Sequence, residues 1–152
     1  MRRKECAFEV GGACAGRCEN EKLRMLMYLP MPITFELVDG SVRAVATGAI
    51  HKKDVLDHLH DERNQGGLAF GEIIDARQAK AKLSYSDVQE IREMLRTIAK
   101  EHRLGPTAVV VGSDLDYGIM RMYQTIVEEV ATVMPFRDFD SAEHWLRSLN
   151  AR

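Results

Sequence analysis

Pro106-Thr-Ala-Val-Val-Val-Gly112 runs directly into Ser113-Asp-Leu-Asp-Tyr-Gly118 and then into a segment with helical apolar spacing. A continuous β-branched run, apolar on both faces, followed by a polar turn and a 3.6-residue period marks a buried central strand feeding a helix. The rest of the chain reads as strands to lie beside this one and helices to cover it.

Immediately upstream, Gly105-Pro106 stops the longest helical pattern. That helix opens at Ser84-Tyr-Ser-Asp87, where Ser84 and Asp87 approximate a capping box. Its inner stripe is Val88, Ile91, Leu95 and Ile98. Phe70-Gly-Glu-Ile-Ile-Asp75 is a short strand with Asp75 at its carboxyl end, and Gly66-Gly67 breaks a helix over Lys52–Asn64 whose inner residues are Val55, Leu56 and Leu59. Further back, Ile33–Val38 and Ser41–Ala46 alternate around Asp39-Gly40, the strongest short hairpin signal, and Gly48 ends the second strand. Downstream, a helix over about Asp116–Val130 carries Ile119, Tyr123, Ile126, Val127 and Val130 inward. Thr132–Phe136 is a last strand, and Asp140-Ser-Ala-Glu143 caps a closing helix striped by Ala142, Trp145, Leu146 and Leu149. The order β-β-α-β-α-β-α-β-α gives an α/β fold. Its mixed sheet opens with an antiparallel hairpin and continues with parallel strands covered by helices.

The totals narrow the function. At 152 residues, 45% hydrophobic and 29% charged, the chain has the makeup of one ordinary globular domain. A formal net charge of −2 gives no electrostatic case for nucleic acid, and no apolar window is long enough for a membrane span. Residues 1–30 differ from the rest, holding all three cysteines (Cys6, Cys14, Cys18) without sustained periodicity, and read as a poorly ordered leader or upstream extension. Cys14-x3-Cys18 falls short of the four ligands of a closed zinc site, and the same tail lacks the continuous apolar stretch of a signal peptide. A cytoplasmic location is the default.

The hairpin-first order, the strand Ile73-Ile-Asp-Ala-Arg77 before a Ser-opened helix, and the ending Pro135-Phe-Arg-Asp-Phe-Asp-Ser-Ala-Glu-His-Trp-Leu146 resemble the SpoIIAA-like proteins. That group is related to the STAS domains of anti-sigma factor antagonists and is compared with lipid-binding CRAL-TRIO (Sec14-like) domains. The resemblance spans about residues 31–150. It implies a regulatory or binding module without catalytic activity, with a protein partner or a small apolar, lipid-like ligand, and with a homo-oligomer as a further option. Antagonist STAS domains carry a phosphorylatable serine in an Asp-Ser-Ser-Gly-like motif. The corresponding stretch here is Leu83-Ser-Tyr-Ser-Asp-Val88, which lacks the motif but offers Ser84 and Ser86 as phosphoacceptor candidates near a helix N-terminus.

Other chemistry is thinly represented. There is no Gly-x-Ser-x-Gly elbow and no phosphate-cradling glycine loop, and the receiver-domain reading of Asp75 lacks its acidic partner pair. In Asp57-His-Leu-His-Asp-Glu62 the two histidines are two residues apart on different helix faces; His58 with Asp54 or Glu62 could bind a cation weakly, but the segment reads as a solvated face and no metal or cofactor is assigned. The strand ends remain, since open α/β sheets bind ligands there. Asp75, Arg77, Ser113, Tyr117 and Met120 are the ligand-binding candidates, and an unrecognised small enzyme using these strand-end polar groups is the second alternative.

Overall fold

A computed structural model describes residues 31–152; the expectations for residues 1–30 lie outside the described part. Strands β1 (Ile33–Val38) and β2 (Ser41–Ile50) form the opening hairpin. Asp39 and Gly40 both take positive φ, 49° and 74°, the left-handed pair that a two-residue type I′ turn requires. Helix α1 (Lys52–Asn64), strand β3 (Gly71–Ala81), helix α2 (Tyr85–Ala99), strand β4 (Thr107–Val111), helix α3 (Asp114–Val127), strand β5 (Val133–Phe136) and helix α4 (Phe139–Asn150) complete the domain in that order. The five strands lie in the order β1-β2-β3-β4-β5, antiparallel between β1 and β2 and parallel thereafter. The mixed α/β sheet read from the sequence is therefore the observed one.

The order of the strands explains where the helices sit. Each parallel crossover steps the same way along the sheet, so right-handed connections place α1, α2 and α3 on one face. Val88, Ile91 and Leu95 of α2 and Tyr123 and Val127 of α3 pack there against Val109 and Val111. The alternate residues Ala108 and Val110 turn to the opposite face, where Ala142, Trp145 and Leu146 of α4 cover them. β4 is thus buried on both sides, as its unbroken β-branched run implied.

Several boundaries depart from the sequence reading. Gly48 does not end β2. A register shift at Val45–Thr47 and a left-handed Gly48 (φ +72°) let the strand bend and continue to Ile50. Its extension pairs with Gln78–Ala81, so β3 runs past Asp75, which lies in mid-strand rather than at a carboxyl end. The closing helix is capped not by Asp140 but by Asp138, which accepts hydrogen bonds from the Ser141 amide and hydroxyl, both at 2.8 Å. Helix α3 starts earlier than expected, because Ser113 caps it through the Asp116 amide.

Candidate functional site

Between the sheet and the three helices on its first face lies a partly enclosed cavity of about 130 Å³. Its walls are aliphatic for most of their extent, with Ile50, Val55, Leu59, Ile74, Val109 and Met120 among them. Into this apolar wall the fold sets three charged side chains, His58, Glu62 and Glu72, only 5%, 4% and 4% exposed.

The placement is the product of two periodicities. On α1, Val55, His58, Leu59 and Glu62 fall at three- and four-residue intervals, so the stripe that turns the apolar residues inward also carries the histidine and the glutamate. On β3, Glu72, Ile74 and Ala76 alternate with Ile73 and Asp75, which puts Glu72 on the helix-covered face. The His58 Nε2 lies 2.7 Å from Glu72 Oε1 and 3.8 Å from Glu62 Oε2. Glu72 also accepts from the Thr107 hydroxyl at 3.3 Å, and the Phe35 ring meets the imidazole edge-on with centroids 5.2 Å apart. Gly67 makes room for Glu62: a Cβ at that position would stand 2.9 Å from the Glu62 Cγ. Among the described residues the Glu62 carboxylate takes no hydrogen bond, its one ionic neighbour being His58.

Burial and charge pull the protonation of the group away from ordinary values. Desolvation, reinforced by the Glu72 charge and opposed by His58, raises the Glu62 carboxyl from 4.5 to about 7. Burial alone would lower His58, but the hydrogen bond and charge of Glu72, with help from Glu62 and Asp61, outweigh it and leave its pKa raised. Burial beside Glu72 likewise pushes the Tyr123 phenol upward.

The solvated-face reading of Asp57–Glu62 therefore holds for His60, which is exposed, and fails for His58 and Glu62. The signal was present: His58 is three residues beyond Val55, and Glu62 three beyond Leu59. Pairing His58 with Glu62 as a weak cation site on a solvated face, without setting both against the apolar stripe, missed their burial.

Of the residues singled out in the sequence, Met120 lines the cavity, whereas Tyr117 packs against the hydrophobic core outside the lining and stacks under the Arg137 guanidinium at 4.5 Å. Asp75 and Arg77 face the other side of the sheet and pair with each other at 2.7 Å. Ser113 is an N-cap whose hydroxyl also bonds the buried Asp116 carboxylate. Asp116 in turn accepts from the Ala81 amide at 3.0 Å, tying α3 to the end of β3. Ser84 forms the capping box the sequence indicated, accepting from the Asp87 amide at 3.1 Å while its own amide donates to the Asp87 carboxylate at 2.8 Å; Ser86 is exposed in the first turn. The structure does not gather these candidates into one site.

No family model matches the chain, and no curated protein matches it. Among solved structures, it is similar to an uncharacterized protein from the DUF3478 family with a SpoIIAA-like fold from Shewanella loihica PV-4. The two are 18% identical over 75% of this chain and 91% of that one, with a TM-score of 0.50. The likeness is one of fold: this chain has a SpoIIAA-like architecture.

Proposed function

We propose that this chain is a binding module for a small, largely apolar molecule with one hydrogen-bond-donating end, and that it acts by forming the complex rather than by catalysis. The observation that carries the reading is the cavity itself, apolar along most of its wall with the carboxyl groups of Glu62 and Glu72 set into it. Close-packed interiors leave few voids larger than a water molecule, and an apolar void of about 150 Å³ binds benzene-sized guests. By that comparison 130 Å³ suits a molecule of about six non-hydrogen atoms, smaller than a whole lipid. A hydroxyl or ammonium group on the guest would donate to the Glu62 or Glu72 carboxyl on the wall, which supports a polar end of that kind over a carboxylate.

Native mass spectrometry of the protein purified from cells tests for a retained guest. Ligand-observed NMR with small aromatic alcohols and amines then tests capacity. Saturable binding is expected, lost when Ala76→Leu fills the cavity. Absence of both a retained guest and any saturable probe, with a folded wild-type chain, overturns the reading. A second copy or another protein retained in place of a small molecule would favour the regulatory, partner-binding alternative.

A further inference from the structure

We propose that His58, Glu62 and Glu72 form a binding site for one divalent transition-metal ion, open toward the cavity. One imidazole nitrogen and two carboxylates on two elements are the donor set of a three-ligand metal site that keeps further positions free. The ligand atoms of the three side chains all lie within 4.8 Å of one another, with His58 Nε2 2.7 Å from Glu72 and 3.8 Å from Glu62. Metal–ligand bonds of about 2.1 Å require edges of about 3.0 Å in an octahedron and about 3.4 Å in a tetrahedron. The two edges from His58 bracket both values, and the Glu62–Glu72 edge, within 4.8 Å, closes toward them by side-chain rotation.

Two further observations point the same way. Glu62 is 4% exposed and lines the cavity, and among the described residues its one ionic neighbour is His58 at 3.8 Å, beyond hydrogen-bond distance, while His58 Nδ1 is buried without a hydrogen-bond partner. Thr107, donating to the second oxygen of Glu72, supplies the outer-sphere hydrogen bond that orients a ligating carboxylate. Charge also balances: a divalent ion with two carboxylates and a neutral imidazole is neutral, which suits an apolar wall. The imidazole nitrogen favours iron, nickel, copper or zinc over magnesium or calcium, and the two carboxylates also admit manganese. The free coordination positions face the cavity.

The proposal does not depend on the cavity binding an organic guest, and its test is separate. Metal-stripped full-length protein is titrated with Mn²⁺, followed by electron paramagnetic resonance, and with Zn²⁺, followed by calorimetry. One equivalent is expected to bind, and Glu62→Gln and His58→Gln each to weaken it at least ~100-fold while circular dichroism shows the variants folded. Because Cys6, Cys14 and Cys18 are thiols that take zinc, Cys14→Ser/Cys18→Ser is the control, and Mn²⁺ affinity should not change in it. Nitrogen hyperfine coupling to bound Mn²⁺ in the wild type reports His58 without relying on a variant. No saturable Mn²⁺ or Zn²⁺ binding, binding indifferent to Glu62→Gln, or bound Mn²⁺ without nitrogen coupling each overturns the site. An amine probe that binds the cavity of the metal-free protein and is displaced by Mn²⁺ would support both readings. Probe binding with no metal binding would sink this one alone.

Discussion

Replacing Glu62 by Gln should stabilise the metal-free protein, and the gain should grow with pH. In the unfolded chain this carboxyl titrates at its ordinary 4.5, whereas burial and the Glu72 charge hold it at about 7 in the fold. Between those values the folded state binds the extra proton, so stability falls as pH rises through the window. For Glu62 alone, linkage gives a penalty of about 1 kcal/mol at pH 5 and about 3 kcal/mol at pH 8. Removing Glu62 also withdraws one of the charges that favour protonated His58, although the 2.7 Å bond to Glu72 remains. That coupling trims the change in advantage between pH 5 and pH 8 to about 2 kcal/mol, or about 8 °C in Tm for a domain of this size. The Gln amide does not titrate, so its burial cost enters both pH values alike and cancels in the comparison.

The assay is thermal unfolding of chelator-treated wild type and Glu62→Gln at pH 5, 6, 7 and 8, monitored by circular dichroism. The Tm difference should widen steadily toward alkaline pH. A difference that stays flat across the series, or a variant that loses ground as pH rises, would refute the claim that Glu62 is a desolvated, charge-strained group.

Two glycines give a matched pair. Gly105→Ala drives a Cβ to 1.9 Å from the Phe70 carbonyl oxygen and should cost about 1–3 kcal/mol or more in urea unfolding, whereas Gly118→Ala, with open space in the middle of α3, should gain about 0.5–1 kcal/mol. Ser113→Ala removes the cap of α3 and a hydrogen bond to buried Asp116, and should lower stability at pH 7 by about 1–2 kcal/mol. Burial raises the Asp116 pKa, but the bonds from Ser113, the Ala81 amide and Lys80 win and leave it lowered. The stability this gives is present above the ordinary carboxyl value and lost as pH falls through the lowered one. The Ser113→Ala deficit should therefore shrink in acid; a deficit constant from pH 7 to pH 2 would count against the linkage.

The fold was legible because its signals are local and redundant. Pro106–Gly112 is β-branched because both faces of β4 are covered, and Asp39-Gly40 could serve no other purpose between two alternating runs. The carboxyl half of β3 was not legible, since Arg77-Gln-Ala-Lys-Ala81 has no β-branched residue and is held mainly by pairing with the bent end of β2. The site was half legible. Met120 and Tyr117 sit on the helix that the central strand feeds, where the ligand rule for open sheets directs attention, yet Glu72 carries no such mark inside Phe70–Asp75. Its partners on α1 lie on an element distant in sequence. Only the crossover that folds α1 onto β3 makes the three side chains neighbours, and no spacing within one segment encodes that.

A cavity and a buried charge cluster are both destabilising, and here they coincide. By the cost measured for voids in cores, 130 Å³ is worth up to about 3 kcal/mol, and the Glu62 carboxyl adds a penalty of similar size at neutral pH. Leucine or methionine at positions 58, 62 and 72 would remove the charges and fill part of the space at once, since buried ionic groups are often replaced by apolar ones without loss. Instead the sequence keeps Gly67 where a Cβ would crowd Glu62, and alanines at 46, 76 and 79 along the cavity wall. Small residues that preserve a void beside side chains that charge it are hard to explain as packing alone. A guest that fills the void, or an ion that neutralises the carboxylates, would recover much of that combined cost, and the binding energy so recovered is what would make folding and occupancy of this domain depend on each other.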